Sequence, residues 1–297
     1  MRLSVVLGEW LDRPIAADLA VAGLADELGY DQVWIGEMAK LDAPSVAAVI
    51  VERTARIEPV LGPLAVTVRT PVQIALATAT VASLGRRTHV ALGTSSDVVA
   101  RWHGVGRAGA AASLEAHRVA VAALFAGDKV NGFRLRERVA DPTVTVAAFG
   151  PKAAAAAARA DRMVLNMVSV ETAHRLAVHH PNTAVWLVAA VDPSPDELRW
   201  MTRGFVGYLA APGYGEMFVE AGFGKLVEFA RTRPHPRAVA ERIPDHLLDV
   251  VALVGDEATV RARIDAYEAA GIAEVCIVPP PLDTASGRRT LEALAPG

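Results

Sequence analysis

Glu37 and the run Thr94-Ser95-Ser96 are the residues of this chain best placed to do chemistry. Each follows a short apolar stretch. Gln32–Ile35 leads through Gly36 to Glu37, and His89–Leu92 leads through Gly93 to the three hydroxyls. A carboxylate at a strand end can serve as proton donor or base. It can equally orient a ring as an acceptor, or pair with Lys40 or an arginine. Glu9 follows the apolar run Leu3–Leu7 in the same way and is the second candidate. Gly93 permits close backbone approach. Thr94, Ser95 and Ser96 can donate to an anion, or one of them can simply cap the next helix. Gly150 precedes an alanine-rich stretch and offers free amides at a helix start. Asn166 ends another apolar run, and Gly62 sits inside one.

Other chemistries are excluded by what the chain lacks. There is no G-x-G-x-x-G after the first strand, no G-x-x-x-x-G-K-[ST] phosphate loop and no G-x-S-x-G serine motif. No H-x-x-x-H spacing or carboxylate cluster suggests a metal. The one cysteine, Cys276, rules out an internal disulfide and lies in an apolar run, as a buried inert thiol does. His89 reads as a packed strand residue rather than a ligand. The net charge of −3 and the absence of a basic stripe argue against nucleic acid or an anionic membrane as partner. No segment has the roughly 20 apolar residues of a membrane span, and the first residues lack a signal-peptide pattern. A cytoplasmic protein acting on a small molecule is the expectation.

These residues need a scaffold, and the hydrophobic pattern supplies one. The 297 residues are 52% hydrophobic and 21% charged, a globular composition. Continuous apolar runs of the kind buried in parallel sheets occur at 3–7, 32–35, 57–68, 89–92, 143–149, 162–165, 183–191 and 274–278. Most are separated by helix-like segments, among them 15–28, 44–55, 71–84, 110–125 and 238–254. Gly62-Pro63 inside the third run predicts a bulge or a break in pairing, with a cis bond as an option. Asn131-Gly132 is a hairpin signal. No composition break divides the chain. The pattern predicts one domain over 1–297, an α/β chain closed into a (β/α)8 TIM barrel, with a short helical insertion near 195–235. In such a barrel the site is built at the C-terminal ends of the strands, where Glu9, Glu37, Gly62, Thr94–Ser96, Gly150 and Asn166 fall.

Five stretches carry a family resemblance: DELGYDQVWIGE (26–37), IEPVLGPLAVTVRTPVQIALATATVASL (57–84), VALGTSSDVVARWHG (90–104), FGPKAAAAAARADRMVLN (149–166) and LVGDEATVRARIDAYEAAGIAEVCIVPP (253–280). In this order they resemble the bacterial luciferase-like flavin and deazaflavin oxidoreductases, especially the branch that uses coenzyme F420. Where relatives carry S-G-G-R before the fourth strand, this chain has Leu84-Gly85-Arg86-Arg87. The resemblance implies a barrel holding the deazaflavin ring at its C-terminal mouth and passing a hydride between it and a small organic substrate. It implies that Gly62 and Pro63 support the ring, and that Thr94, Ser95 and Ser96 bind the cofactor tail. Gly150, Pro151 and Lys152 then form the second phosphate-side segment, Asn166 lines the pocket, and Glu37 takes a catalytic or ring-facing place. It also implies a homodimer. Two alternatives keep the same fold. One is a monooxygenase or reductase using FMN; the other is a non-catalytic flavin- or deazaflavin-binding protein.

Overall fold

The computed structural model describes residues 1–8 and 14–296. Glu9 lies outside the described residues. Eight parallel strands close into a barrel in the order β1 (Arg2–Leu7), β2 (Gln32–Ile35), β3 (Glu58–Ala65), β4 (His89–Gly93), β7 (Val144–Ala147), β8 (Arg162–Asn166), β9 (Thr183–Val191) and β11 (Glu274–Val278). Closure is made by β11, which pairs with β9 through Glu274↔Ala184 and with β1 through Arg2↔Glu274. The remaining two strands of the numbering before β7, β5 (Lys129–Val130) and β6 (Phe133–Arg134), form the small antiparallel hairpin predicted at Asn131-Gly132. The eight apolar runs are thus the eight barrel strands. Their continuous hydrophobicity follows from burial on both faces, against barrel interior and helix layer.

The helices that cover the barrel start where the sequence signals them. Asp42 caps α2 (Ala43–Arg53), with its side chain accepting from the Ser45 amide at 2.9 Å. Thr70 opens α3 (Pro71–Ala82) in a reciprocal capping box with Gln73. Bulge and cis bond meet at one place in β3. The register with β4 runs Leu61↔Val90 and then Leu64↔Leu92, so one extra residue is accommodated at Gly62-Pro63, whose peptide bond is cis.

One expected helix is not formed as such. Residues 238–254 break into α12 (Pro236–Ala240), a 3-10 turn (Asp245–Leu247), α13 (Leu248–Val251) and a strand, β10 (Ala252–Gly255). Pro244 interrupts the helical ladder. The apolar end of the segment then pairs with the overhang of β9, through Ala252↔Val188 to Gly255↔Val191. At nine residues, β9 extends past its partner β8, whose pairing ends at Asn166↔Trp186.

The N-terminal half of the barrel interior is filled by charge. Arg162 on β8 reaches Gln32 on β2 at 2.8 Å and Glu274 on β11 at 2.8 Å. Neither β2 nor β11 neighbours β8, so these contacts cross the inside of the barrel. The guanidinium lies 4.3 Å from the Trp34 ring centroid. Glu274 also accepts from Ser4 Oγ at 2.7 Å and Trp34 Nε1 at 3.2 Å. Burial pushes the Glu274 carboxyl up, and the Arg162 guanidinium with the Ser4 hydroxyl more than offsets it, leaving it below its ordinary value.

His89 adds a pH-sensitive member. Its Nδ1 accepts from the Thr143 amide at 3.0 Å, so its proton sits on Nε2, 2.9 Å from Glu58. Burial lowers its pKa, only partly countered by Glu58. The unfolded chain therefore takes up a proton below about pH 6.5 that the native chain resists. Stability is expected to fall as pH drops from 7 to 5. His89→Gln, which does not titrate, should show a flatter slope in urea unfolding over that range. Equal slopes would remove His89 as the cause.

Candidate functional site

Five neighbouring strands deliver the candidate residues to one arc of the C-terminal rim. Going round the barrel, β2 brings Glu37, β3 carries Gly62-Pro63, β4 brings Thr94–Ser96, β7 brings Gly150–Lys152 and β8 ends in Asn166. The sequence separates these residues by up to 129 positions, and barrel closure makes them neighbours.

Glu37 is not free. Its Oε1 accepts from Arg69 Nε at 2.8 Å and its Oε2 from Arg69 Nη2 at 2.6 Å. The Ala43 amide at the start of α2 donates to Oε2 at 3.1 Å. Arg69 also pairs with Asp42. The paired Glu37 and Asp42 carboxylates hold the guanidinium firmly in its charged form. Partial burial raises the Asp42 carboxyl, and Ser45 and Arg69 more than offset that. The rim therefore presents a fixed carboxylate–arginine–carboxylate unit, one of the salt-bridge readings of Glu37. Arg69 follows β3 by four residues and lies 32 positions from Glu37.

The junction of β3 and β4 is tight and flat. A Cβ on Gly93 would stand 3.2 Å from Pro63 Cβ and 3.6 Å from Ala147 Cβ. Glycine here keeps a smooth surface beside the bulge. Beyond it, Arg107 holds the turn, donating to Thr94 Oγ1 at 3.1 Å and to the Thr94 carbonyl at 3.3 Å. Ser96 caps α4 (Asp97–Trp102), accepting from the Val99 amide at 3.3 Å. The capping alternative is thus realised at Ser96, while Ser95 is half-buried. Gly150 occupies the N-cap of α6 (Pro151–Ala157) with no side-chain cap, so its helix start keeps unpaired amides, and Lys152 is exposed beside it.

At the end of β8 an aromatic group from the insertion closes in. After β9 come α8 (Pro195–Arg203), α9 (Val206–Leu209), α10 (Tyr214–Phe218) and α11 (Gly224–Arg231). The Asn166 carboxamide nitrogen donates to Tyr208 Oη and Tyr214 Oη, each at 3.3 Å, and Tyr214 Oη donates to the Asn166 carbonyl at 2.8 Å. Tyr214 stacks on Phe149 with centroids 4.3 Å apart and meets Tyr208 edge-on at 4.8 Å. Burial raises the pKa of both phenols. Asn166 Oδ1 is buried and makes no hydrogen bond among the described residues. Such an acceptor is normally satisfied in a folded protein, so it is available to a ligand N–H. Sequence reasoning missed Phe149, Tyr208, Tyr214 and Arg107. The glycine- and aromatic-rich composition of 212–233 is the available signal for Tyr214.

Backbone strain gathers at the same end. Ser95 (φ 56°), Met167 (φ 46°) and Asp192 (φ 50°) have left-handed backbones without being glycine. They follow the ends of β4, β8 and β9 by two, one and one residues. Strain of this kind costs about 1–3 kcal/mol per residue and concentrates at ligand sites. No group of residues suited to a metal ion occurs among the described residues. None of their helices is long and apolar enough to cross a membrane.

Known structures share this architecture. The coenzyme F420 dependent tetrahydromethanopterin reductase from Methanopyrus kandleri superposes with a TM-score of 0.79 at 14% identity, over 99% of this chain and 98% of that one. An F420-dependent secondary alcohol dehydrogenase in complex with an F420-acetone adduct gives 0.74 at 16%, over 98% and 97%. The oxygenating constituent of 3,6-diketocamphane monooxygenase from Pseudomonas putida, in complex with FMN, gives 0.70 at 16%, over 99% and 97%. No curated protein matches the sequence significantly. The profile described as luciferase-like monooxygenase matches residues 7–274. The barrel, its bulged third strand and the polar arc at its mouth are those of a chain that belongs to the luciferase-like monooxygenase family.

Proposed function

We propose that the chain is an oxidoreductase that binds coenzyme F420 at the barrel mouth and passes a hydride between it and a small organic substrate. The observation that carries a ring-binding mouth is the unpartnered, buried Asn166 Oδ1 at the end of β8. It lies on the same rim as a β3–β4 junction where only glycine keeps the surface flat. A planar ring with an N–H on its edge fits both. The deazaflavin would supply the hydride chemistry when bound. Gly93, Gly62 and Pro63 would shape the surface against its ring. The half-buried Ser95, the amides after Gly150 and the Lys152 ammonium would meet an anionic tail. Glu37 would hold Arg69 at the rim and provide the acid–base group when that pair opens.

Similarity to two F420-dependent structures supports the deazaflavin. Similarity to the FMN complex supports the second reading, an FMN-dependent monooxygenase. The experiment is binding of oxidised F420 and of FMN to the same protein, followed by fluorescence. Tighter binding of F420 supports the proposal. Preference for FMN moves the function to the second reading, and binding of neither overturns both. Asn166→Ala is expected to weaken binding of the preferred ring about tenfold, the value of one hydrogen bond of about 1.4 kcal/mol. Glu37→Gln is expected to lower turnover about 100-fold while ring affinity changes less than about threefold. Unchanged turnover would remove Glu37 from the chemistry and favour a role in binding alone.

A further inference from the structure

The opposite end of the barrel carries a cavity of about 340 Å3, formed at the N-terminal ends of β1 to β4. That volume lies in the range of small-ligand pockets. Three guanidinium groups line it, from Arg2, Arg56 and Arg87, together with Asp31, Gln32 and Glu58. We propose that this cavity binds a small hydroxylated phosphate ester of the sugar-phosphate class, separately from the redox site at the mouth.

Each arginine is anchored from the side. Arg2 Nη2 donates to Asn182 Oδ1 at 3.0 Å, Arg56 Nη2 to the Asp26 carbonyl at 2.6 Å, and Arg87 Nε to the Asp141 carbonyl at 3.1 Å. A guanidinium has five N–H donors, so one anchor fixes the head and leaves donors for an oxyanion. The nearest carboxylate contacts are loose, at 3.4 Å from Arg2 to Glu274 and 3.9 Å from Arg87 to Glu58. Arginine forks match phosphate oxygens in geometry and charge. Three cations against two carboxylates leave one excess positive charge, which suits a single phosphate rather than a polyphosphate. Asp31 and Glu58 are acceptors only, so hydroxyl donors on the same ligand complement them.

A second observation lies beside Gln32. Arg162 is buried, bonds to Gln32 through Nη1, and its Nη2 has no hydrogen-bond partner among the described residues. Buried donors of this kind are nearly always satisfied. The polar network next to the cavity is therefore short of an acceptor, as a site made for an anion and its water would be. This end of the barrel takes no part in the proposed redox chemistry, so the two readings stand or fall independently.

The test is calorimetric titration of the intact protein with ribose 5-phosphate at low ionic strength, with ribose and gluconate as comparisons. The expected result is saturable binding of ribose 5-phosphate, none of ribose, and gluconate at least tenfold weaker. Arg56→Gln and Arg87→Gln, both at exposed positions, are each expected to weaken binding at least tenfold, with thermal unfolding confirming that each variant is folded. Lys152→Ala, at the other end of the barrel, should leave it unchanged. No saturable binding overturns the proposal. Tighter gluconate binding overturns the phosphate assignment. Binding that survives both arginine changes, or is lost with Lys152→Ala, overturns the location.

Discussion

Replacing Arg162 with methionine is expected to destabilise the protein by about 3–5 kcal/mol, the usual result of leaving a buried charge without its partner. Glu274 would remain inside the barrel with Ser4, Trp34, the Cys276 thiol and the more distant Arg2 to hold it. Gln32 and Thr145 would lose a donor as well. The stacking of the guanidinium on Trp34 would be replaced by methionine packing, a small change beside the electrostatic one. Urea unfolding measures the effect. The double variant Arg162→Met/Glu274→Gln should recover at least half of the loss, because a neutral amide still accepts from Ser4 and Trp34. The sign of the pH dependence is also determined. Without Arg162, burial raises the Glu274 carboxyl above its unfolded value. The variant's deficit should then shrink as pH falls from 7 towards 5, where the carboxyl takes up a proton. A loss below about 1 kcal/mol would show that the pair is dispensable, and a deficit independent of pH would show that the uncompensated Glu274 charge is not its cause.

The second large effect is expected at Gly62. A Cβ there would stand 2.2 Å from the Leu64 amide nitrogen and 2.6 Å from the Ala91 carbonyl oxygen, both backbone atoms. Its φ of +105° is also closed to other residues at ordinary cost. Backbone strain and overpacking together put Gly62→Ala at about 3 kcal/mol or more. The bulge would be forced out, and with it the β3–β4 junction that floors the mouth. Gly93→Ala is the control. Its Cβ meets only side-chain atoms, at 3.2 and 3.6 Å. It should cost about 1 kcal/mol while weakening ring binding at least tenfold. Thermal unfolding and fluorescence titration separate the two. Equal stability of Gly62→Ala and the parent would show that the bulge relaxes freely.

The identities and order of the barrel strands were legible in the sequence. Parallel strands buried on both faces leave no polar alternation, so each shows as an uninterrupted apolar run. Local devices were legible too, because their partners lie within a few residues. These include the Gly62-Pro63 bulge, the Asn131-Gly132 hairpin and the rim positions of Glu37, Thr94–Ser96, Gly150 and Asn166. β10 was not legible: Ala252–Gly255 became a strand because β9 outlasts β8 and offers an open edge, a property of the sheet rather than of those four residues. The same limit hid the partners of the chemical groups. Arg69 lies 32 positions from Glu37 and Arg162 lies 112 from Glu274. Tyr214 lies 48 from Asn166. A sequence determines which residues reach a strand end and what they are able to do there. Whether a carboxylate at that end stands free or is already held by an arginine is decided only when barrel closure brings distant strands face to face.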